Sequence, residues 1–582
     1  MNTAEYIIKK LEELGVNDFF GIPNEYNMNL LYAVENNPNT NWIGCTNEQN
    51  AGHSADGYAR IRGYGALITS FGSGELSSIS AIAGSMAENV PVINIVGLPA
   101  TKVVDNKNQI HNFDCIYFID VYKNVVASTA ILNRDNAKLE IDRILKILVR
   151  EKKPVYIAIP ADIALMEISD RVVSYDWISD RTVLEELGSK IAEKINNSQS
   201  PVIIGDVLIK RFDAEIEYKE FVEKSKIPVS NFIMGTNIVD MDYEKYIGGY
   251  FGKYKNPIAQ KHIEETDCLI AVGVIRNNLN SYGHLPYDIN NHVAIYGNYA
   301  YVDGERFDNV KMSELLEEVS KYVKPRDVEV DKCNIGFKDI IYDNEKLTSN
   351  YLYSRIQEFV KDNDIIISGA GTIPFGLAQM KFPASVDLQL QMSWAASGWA
   401  TPALLGACIA KPQSRVVLVV GEGTHQAAAI ELGALLRYGL KPVVIVINNG
   451  GYTALRMLSK TSDCKFNDIM QINYTKFART FDGDVWATKV TTAEDFDKAL
   501  KVTQIMNKMC YIEACIEPLD VLPLVKMVFE DKKNNVQNID VPETGISDNL
   551  IENDNYLYRT EDVQYETVVH KVLTDDSEEE DE

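Results

Sequence analysis

Short, almost unbroken runs of Val and Ile alternate with helical segments over most of the chain, and this alternation limits its fold more than any other feature. The runs include VPVINIVG (90–97), KPVYIAIP (153–160), SPVIIGD (200–206), DCLIAVG (267–273), DIIISG (364–369), RVVLVVG (415–421) and KPVVIVINN (441–449). A strand apolar on both faces belongs in a sheet covered on both sides, and strands separated by helices pair in parallel. The expectation is an α/β chain of doubly wound parallel sheets. Proline stands at the start of several runs, where a missing N–H costs the ladder little.

The chain has 582 residues, enough for three such domains and a tail. Polar stretches near 170–185 and 324–346 divide it into blocks at 1–175, 176–335 and 336–530, leaving 531–582 as an acidic C-terminal extension. Within that extension, residues 551–582 carry twelve acids and two bases. Such a run repels itself and cannot bury a core, so it reads as a disordered, solubilising tail. A docking strip for a basic partner is the alternative.

Composition removes several classes of function. The formal net charge is −26, from 57 Lys and Arg against 83 Asp and Glu. That balance argues against direct nucleic-acid binding and against docking on anionic lipid. No apolar run reaches the roughly 18–20 residues of a membrane span. The opening MNTAEYIIKKLEELG reads as an amphipathic helix, without the apolar core or cleavage site of a signal peptide. Eight cysteines are scattered without a CxxC, which fits a reduced, cytoplasmic protein and no zinc site.

The strongest local signal is VVLVVGEGTHQAAAIELGALLRYGLKPVVIVINNGGYT (416–453). One strand ends at Gly421-Glu422-Gly423, a helical segment follows, and a second strand ends at Asn448-Asn449-Gly450-Gly451. Ligands of open parallel sheets sit off the carboxyl ends of strands, so both tips serve one place. The glycines allow a tight turn and close approach of backbone to phosphate. A carboxylate, an amide oxygen and a carbonyl are hard donors suited to Mg²⁺.

Gly-Glu-Gly, then 24 residues, then Asn-Asn resembles the GDG…NN motif of thiamine diphosphate-dependent enzymes. ELGALLRYGLKPVVIVINNGGYT is similar to their 2-oxo acid decarboxylase branch, which includes pyruvate and indolepyruvate decarboxylases. GIPNEYNMNLLYAV (21–34), CTNEQNAGHSADGYARIRG (45–63) and GAGTIPFGLAQMKFP (369–383) extend the resemblance, which covers about residues 1–525. The acetolactate-synthase branch fits RYGLKP and INNGGYT less well, and nothing signals its flavin site.

The resemblance implies three α/β domains: a pyrimidine-binding type, a central Rossmann-like one without a required nucleotide, and a diphosphate-binding type. VIIGD is accordingly followed by VLIKRF and not by GxGxxG. It further implies a cofactor held between the first domain of one subunit and the third of another, hence a homodimer or homotetramer. Thiamine diphosphate and Mg²⁺ would be the cofactors, and a small 2-oxo acid the substrate. Glu48 matches the glutamate that bonds N1′ of the aminopyrimidine. Glu422, Asn449 and the Gly451 carbonyl match the metal ligands. Thr372, Gly421, Gly423, Thr424, Asn448 and Gly451 match the cofactor-side positions, and Glu25 and His111 those that move protons.

Five positions depart from the family pattern. Glu422 replaces an aspartate with a longer arm, and Glu25 does the same at the proton-relay aspartate. A histidine pair is reduced to His111 followed by Asn112. Leu455 stands where the family has a catalytic glutamate, and Ser397, after Trp394, where a bulky aliphatic side chain bends the cofactor. Two readings follow: a decarboxylase or carboligase with altered proton handling, or a catalytically silent relative kept for assembly or binding. His53 and His425 flank the motifs and read as helix-surface or packing residues.

Overall fold

The computed structural model describes residues 1–105, 118–281, 287–326, 328–338, 342 and 345–537. His111 and the acidic stretch 551–582 lie outside the described residues. Each long Val/Ile run becomes a strand within two residues of its expected limits.

Three six-stranded sheets carry the fold. The first contains β1 (Asp18–Gly21), β2 (Asn41–Gly44), β3 (Gly65–Ser70), β4 (Val92–Leu98), β5 (Ser128–Ile131) and β6 (Val155–Pro160). Its order is β2-β1-β3-β4-β6-β5, parallel throughout. The second contains β7 (Pro201–Gly205), β8 (Val229–Asn231), β9 (Cys268–Val272), β10 (Val293–Ile295), β11 (Tyr299–Val302) and β12 (Glu305–Asp308). The third contains β13 (Ile365–Ser368), β14 (Asp387–Leu390), β15 (Val416–Gly421), β16 (Val443–Asn448), β17 (Val485–Val490) and β18 (Met509–Cys515), in the parallel order β14-β13-β15-β16-β18-β17.

The second sheet corrects the expectation of purely parallel pairing. Strands β8, β7, β9 and β10 are parallel, but β11 and β12 close its edge as antiparallel neighbours. The cause is local. Asp303 and Gly304 both have positive φ, 54° and 82°, which is the backbone of a two-residue hairpin turn.

Helix limits follow their caps. Asn2 and Glu5 form a reciprocal capping box at the start of the helix Thr3–Glu13. Asn47 caps the helix Glu48–Arg62, which ends at Gly63 with φ 92°. The helix Ala400–Ala410 is buried almost all round, as expected of one enclosed by protein. It crosses the helix Glu48–Arg62 at backbone contact. A Cβ on Gly57 would lie 2.3 Å from Ala403 O, and one on Gly406 2.0 Å from Ser54 O.

Residues 1–531 form one compact unit. Polar contacts join the first sheet's helices to the loop after β14. Arg60 pairs with Asp56 at 2.7 Å and donates to Leu390 O, and Trp399 Nε1 donates to the same Asp56. Glu88, fully buried, accepts from the backbone N–H groups of Ser393 (2.6 Å) and Trp394 (3.3 Å). His53 is buried, so of the helix-surface and packing readings the packing one holds for it. His425 is also fully buried, with Nδ1 2.8 Å from Thr401 Oγ1. Burial leaves both imidazoles neutral, His53 near 4 and His425 near 3.

Candidate active site

Three neighbouring strands of the third sheet end in one place. β13 runs into Gly369-Ala370-Gly371-Thr372, β15 into Glu422, and β16 into Asn449. Around these tips lies a cavity of about 330 Å³. Thr372, Gly421, Glu422, Gly423, Thr424, Asn449 and Gly451 all line it, so the structure brings together seven of the expected residues. Asn448 does not join them. Its side chain donates to Glu513 Oε1 (2.9 Å) and accepts from Gly450 N–H, facing away along the sheet.

The backbone leaves room for a ligand. A Cβ on Gly371 or Gly450 would meet nothing within 4 Å, and one on Gly421 only Ile373 at 3.9 Å. Gly423 is glycine for the opposite reason: the Tyr452 ring stands 2.6 Å from where its Cβ would be. Gly451 has φ 152°, and a Cβ there would strike Asn467 O at 2.3 Å.

Glu422, Asn449 and Gly451 meet at one point. Glu422 Oε1 accepts from Gly451 N–H at 2.7 Å and Asn449 N–H at 3.2 Å. The Asn449 side-chain oxygen stands 2.8 Å from Gly451 O and 3.2 Å from Glu422 Oε1, facing acceptors only. Turning the amide would convert these contacts into hydrogen bonds. The neighbouring threonine argues for leaving it. Thr453 Oγ1 gives its proton to Pro518 O (2.7 Å), which leaves it only lone pairs to offer the Asn449 amide nitrogen, 2.8 Å away. Three oxygens that face one another at this spacing fit a hard cation. Mg²⁺ at about 2.1 Å sets neighbouring ligand oxygens roughly 2.9 Å apart. Burial pushes the Glu422 carboxyl up to about 7, against the amide hydrogen bonds and the nearby Arg456, which lower it.

Two of the departures face the same space. Leu455, 48% exposed, and Ser397 both line the cavity, so its wall offers neither a carboxylate nor a bulky aliphatic group at those points. Ala454, Ile516, Val521, Leu522 and Val525 make another part of the wall apolar.

The remaining expected residues sit on the first sheet. Glu25 follows β1 and is exposed; Glu48 follows β2 at the first position of the helix Glu48–Arg62. The helix after β3 approaches Glu48 closely, since a Cβ on Gly74 would lie 3.4 Å from Glu48 Oε1. Neither glutamate lines the third sheet's cavity in this chain.

The sequence reading missed Arg456. It is buried, donates to Asn449 O (3.0 Å) and Gly450 O (2.7 Å), and pairs with Asp468 (2.9 Å). Its only signal was its place three residues beyond the GGYT turn.

Residues 1–117, 189–312 and 369–514 match the N-terminal TPP binding, central and C-terminal TPP binding domains of the thiamine pyrophosphate enzymes. The chain is 30% identical to an alpha-keto-acid decarboxylase of Mycobacterium avium over 532 residues, 89% of this chain and 94% of that one. It is 29% identical to pyruvate decarboxylase isozyme 2 of Saccharomyces cerevisiae over 540 residues, 89% and 96% of the two chains. A solved thiamine diphosphate-dependent 4-hydroxybenzoylformate decarboxylase of Rhodococcus jostii shares the fold, with a TM-score of 0.73 and 20% identity, covering 89% and 99%. Among the described residues no helix is long and apolar enough to cross a membrane.

Proposed function

The chain belongs to the thiamine pyrophosphate enzyme family, on its 2-oxo acid decarboxylase side, and on that basis we propose that it is a Mg²⁺-dependent, non-oxidative decarboxylase or carboligase of a 2-oxo acid. The observation that carries this reading is the cluster of Glu422 Oε1, Asn449 Oδ1 and Gly451 O beside a glycine-lined cavity at three strand tips. Bound thiamine diphosphate supplies the electron sink for loss of carbon dioxide.

The chain's own residues divide the remaining work. Glu422, Asn449 and the Gly451 carbonyl would hold the cation, and Thr372 and Thr424 would border the diphosphate. Glu48 would hydrogen-bond the aminopyrimidine and activate the cofactor. Glu25 and His111 would move protons during turnover. The apolar wall formed by Leu455, Ala454 and Val525 suits a substrate with an apolar side chain. That Glu48 does not line the cavity of its own chain supports a site completed by a second copy, in a homodimer or homotetramer. The setting is cytoplasmic.

A catalytically silent relative is the second reading, favoured by Leu455 and Ser397 in the wall. Leucine can neither give nor take a proton, and a positioned general acid or base contributes about 10²–10⁴-fold. Calorimetric titration of the full chain with thiamine diphosphate and Mg²⁺ comes first. Carbon dioxide release from pyruvate, phenylpyruvate, indolepyruvate and branched 2-oxo acids follows. Binding with turnover supports the enzyme, binding without turnover supports the silent relative, and no binding at millimolar cofactor removes the enzyme. Leu455→Glu is expected to raise turnover by about tenfold or more where the cofactor binds; an unchanged rate in a variant that binds it counts against this account of proton handling.

A further inference from the structure

We propose that Arg456 is the positioning residue of the cation-holding loop, an assignment that rests on the cation site just described. The loop Asn449–Gly451 presents three successive carbonyls, and a cation site needs one of them. Arg456 sorts them. Its Nη1 takes Asn449 O at 3.0 Å and its Nη2 takes Gly450 O at 2.7 Å. The Gly451 carbonyl is left free of Arg456: it accepts from Thr453 N–H at 3.1 Å and faces the Asn449 side chain at 2.8 Å.

The guanidinium is itself fixed. Asp468 pairs with Nη2 at 2.9 Å, and the side chain is buried against Gly451, whose absent Cβ would lie 2.6 Å from Nη2. Asp468 also follows Asn467, whose carbonyl accepts from Tyr452 N–H at 2.9 Å, so the loop is gripped from both sides of the turn. A planar fork can bridge two adjacent carbonyls; a lysine ammonium is a point donor on a flexible stem. Glu422 completes the unit from the opposite side by accepting from the N–H groups of Asn449 and Gly451. Two backbone donors thus point to Glu422 and two backbone acceptors to Arg456, while the Gly451 carbonyl, shared with Thr453 N–H, would offer its other lone pair to the cation.

The role predicts a change in cation selectivity rather than a general loss. Mg²⁺ demands near-ideal octahedral geometry, whereas Ca²⁺ accepts flexible sites. The full chain, saturated with thiamine diphosphate, is titrated with MgCl₂ and separately with CaCl₂ by calorimetry. Arg456→Met is expected to weaken Mg²⁺ by about 10- to 100-fold, as removal of outer partners of metal ligands does. Ca²⁺ should weaken at least about tenfold less than Mg²⁺. Arg456→Lys, which keeps the charge, should fall between the two and serves if the methionine variant does not fold. A wild-type chain that binds Mg²⁺ and variants with an unchanged Mg²⁺ to Ca²⁺ ratio overturn the assignment alone. A wild-type chain that binds no Mg²⁺ with the cofactor present overturns the cation site and the assignment with it.

Discussion

Ala395 has a φ of 53°, in the left-handed region where a Cβ is crowded by the next carbonyl. It lies in the loop that leads to Ser397 and the cavity. The surroundings impose the conformation: Glu88 holds the N–H groups of Ser393 and Trp394, and Ala396 N–H donates to Gln391 Oε1 at 2.8 Å. Glycine at 395 relieves the crowding but adds freedom to the unfolded chain, and the first effect is the larger. Ala395→Gly should therefore stabilise the protein by about 0.5–1 kcal/mol in denaturant melts. A destabilised variant would mean that the methyl group packs to more effect than the backbone strain costs. A second residue gives a pH signature. Glu75 is fully buried, with its carboxylate accepting from Gly72 N–H and Tyr156 O–H, both at 2.7 Å. Burial raises it from 4.5 to about 7. Between those values the folded chain binds the extra proton, so stability falls as pH rises from 4.5 to 7. The span is on the order of 3 kcal/mol. Glu75→Gln keeps acceptor and donor without the charge, so the wild-type minus variant difference should decline across that window. Parallel profiles would show the carboxyl titrating near its ordinary value.

At the scale of elements, the crossing of helices Glu48–Arg62 and Ala400–Ala410 fixes how the first and third sheets meet. Each helix offers a glycine where the other's backbone passes. Gly57→Ala should cost about 2 kcal/mol or more, at the upper end of overpacking effects, because the helices must separate. Ala403→Gly should not rescue it, since the atoms met are the O, Cα and carbonyl carbon of Ala403. Rescue would show that only the methyl group is in the way. This crossing also marks where the sequence was readable. Strand ends such as Gly421 and Asn448 follow from runs too apolar to be anything but buried strands, and Thr372, Glu422 and Asn449 then share one edge by topology. The hairpin of β11 and β12 was signalled by Asp303-Gly304 between YAYV and ERFD, a cue the alternating pattern overshadowed. Arg456 was not legible, because its partners are loop carbonyls and carry no side-chain signature. Nor was the hold of Glu88 on Ser393, which depends on two elements 305 residues apart. The choice between surface and packing for His53 was not legible either, because its helix's buried arc is set by a partner helix far along the chain.

At the scale of the whole molecule, the expected site residues fall into two groups. Glu422, Asn449 and Gly451 line the third sheet's cavity, and Glu48 stands at the carboxyl end of β2 on the first sheet without lining it. If one chain formed a complete site, two variants defective in different groups would stay defective when mixed. If each site takes Glu48 from one copy and Glu422 from another, mixing restores it. A C2 dimer carries two such sites related by the same operation. Denaturing and refolding equal amounts of Glu48→Gln and Glu422→Ala chains gives heterodimers in half of the pairings. Each heterodimer places both substitutions in one site and leaves the other intact. About one quarter of wild-type sites should then bind thiamine diphosphate and turn over 2-oxo acid. Counting tightly bound cofactor by calorimetry keeps the test valid for a silent relative, in which turnover would be zero in every mixture. A mixture that binds no more cofactor than the two variants apart, although exchange into heterodimers is shown by differently tagged chains, would place Glu48 and the cation cluster in the same copy.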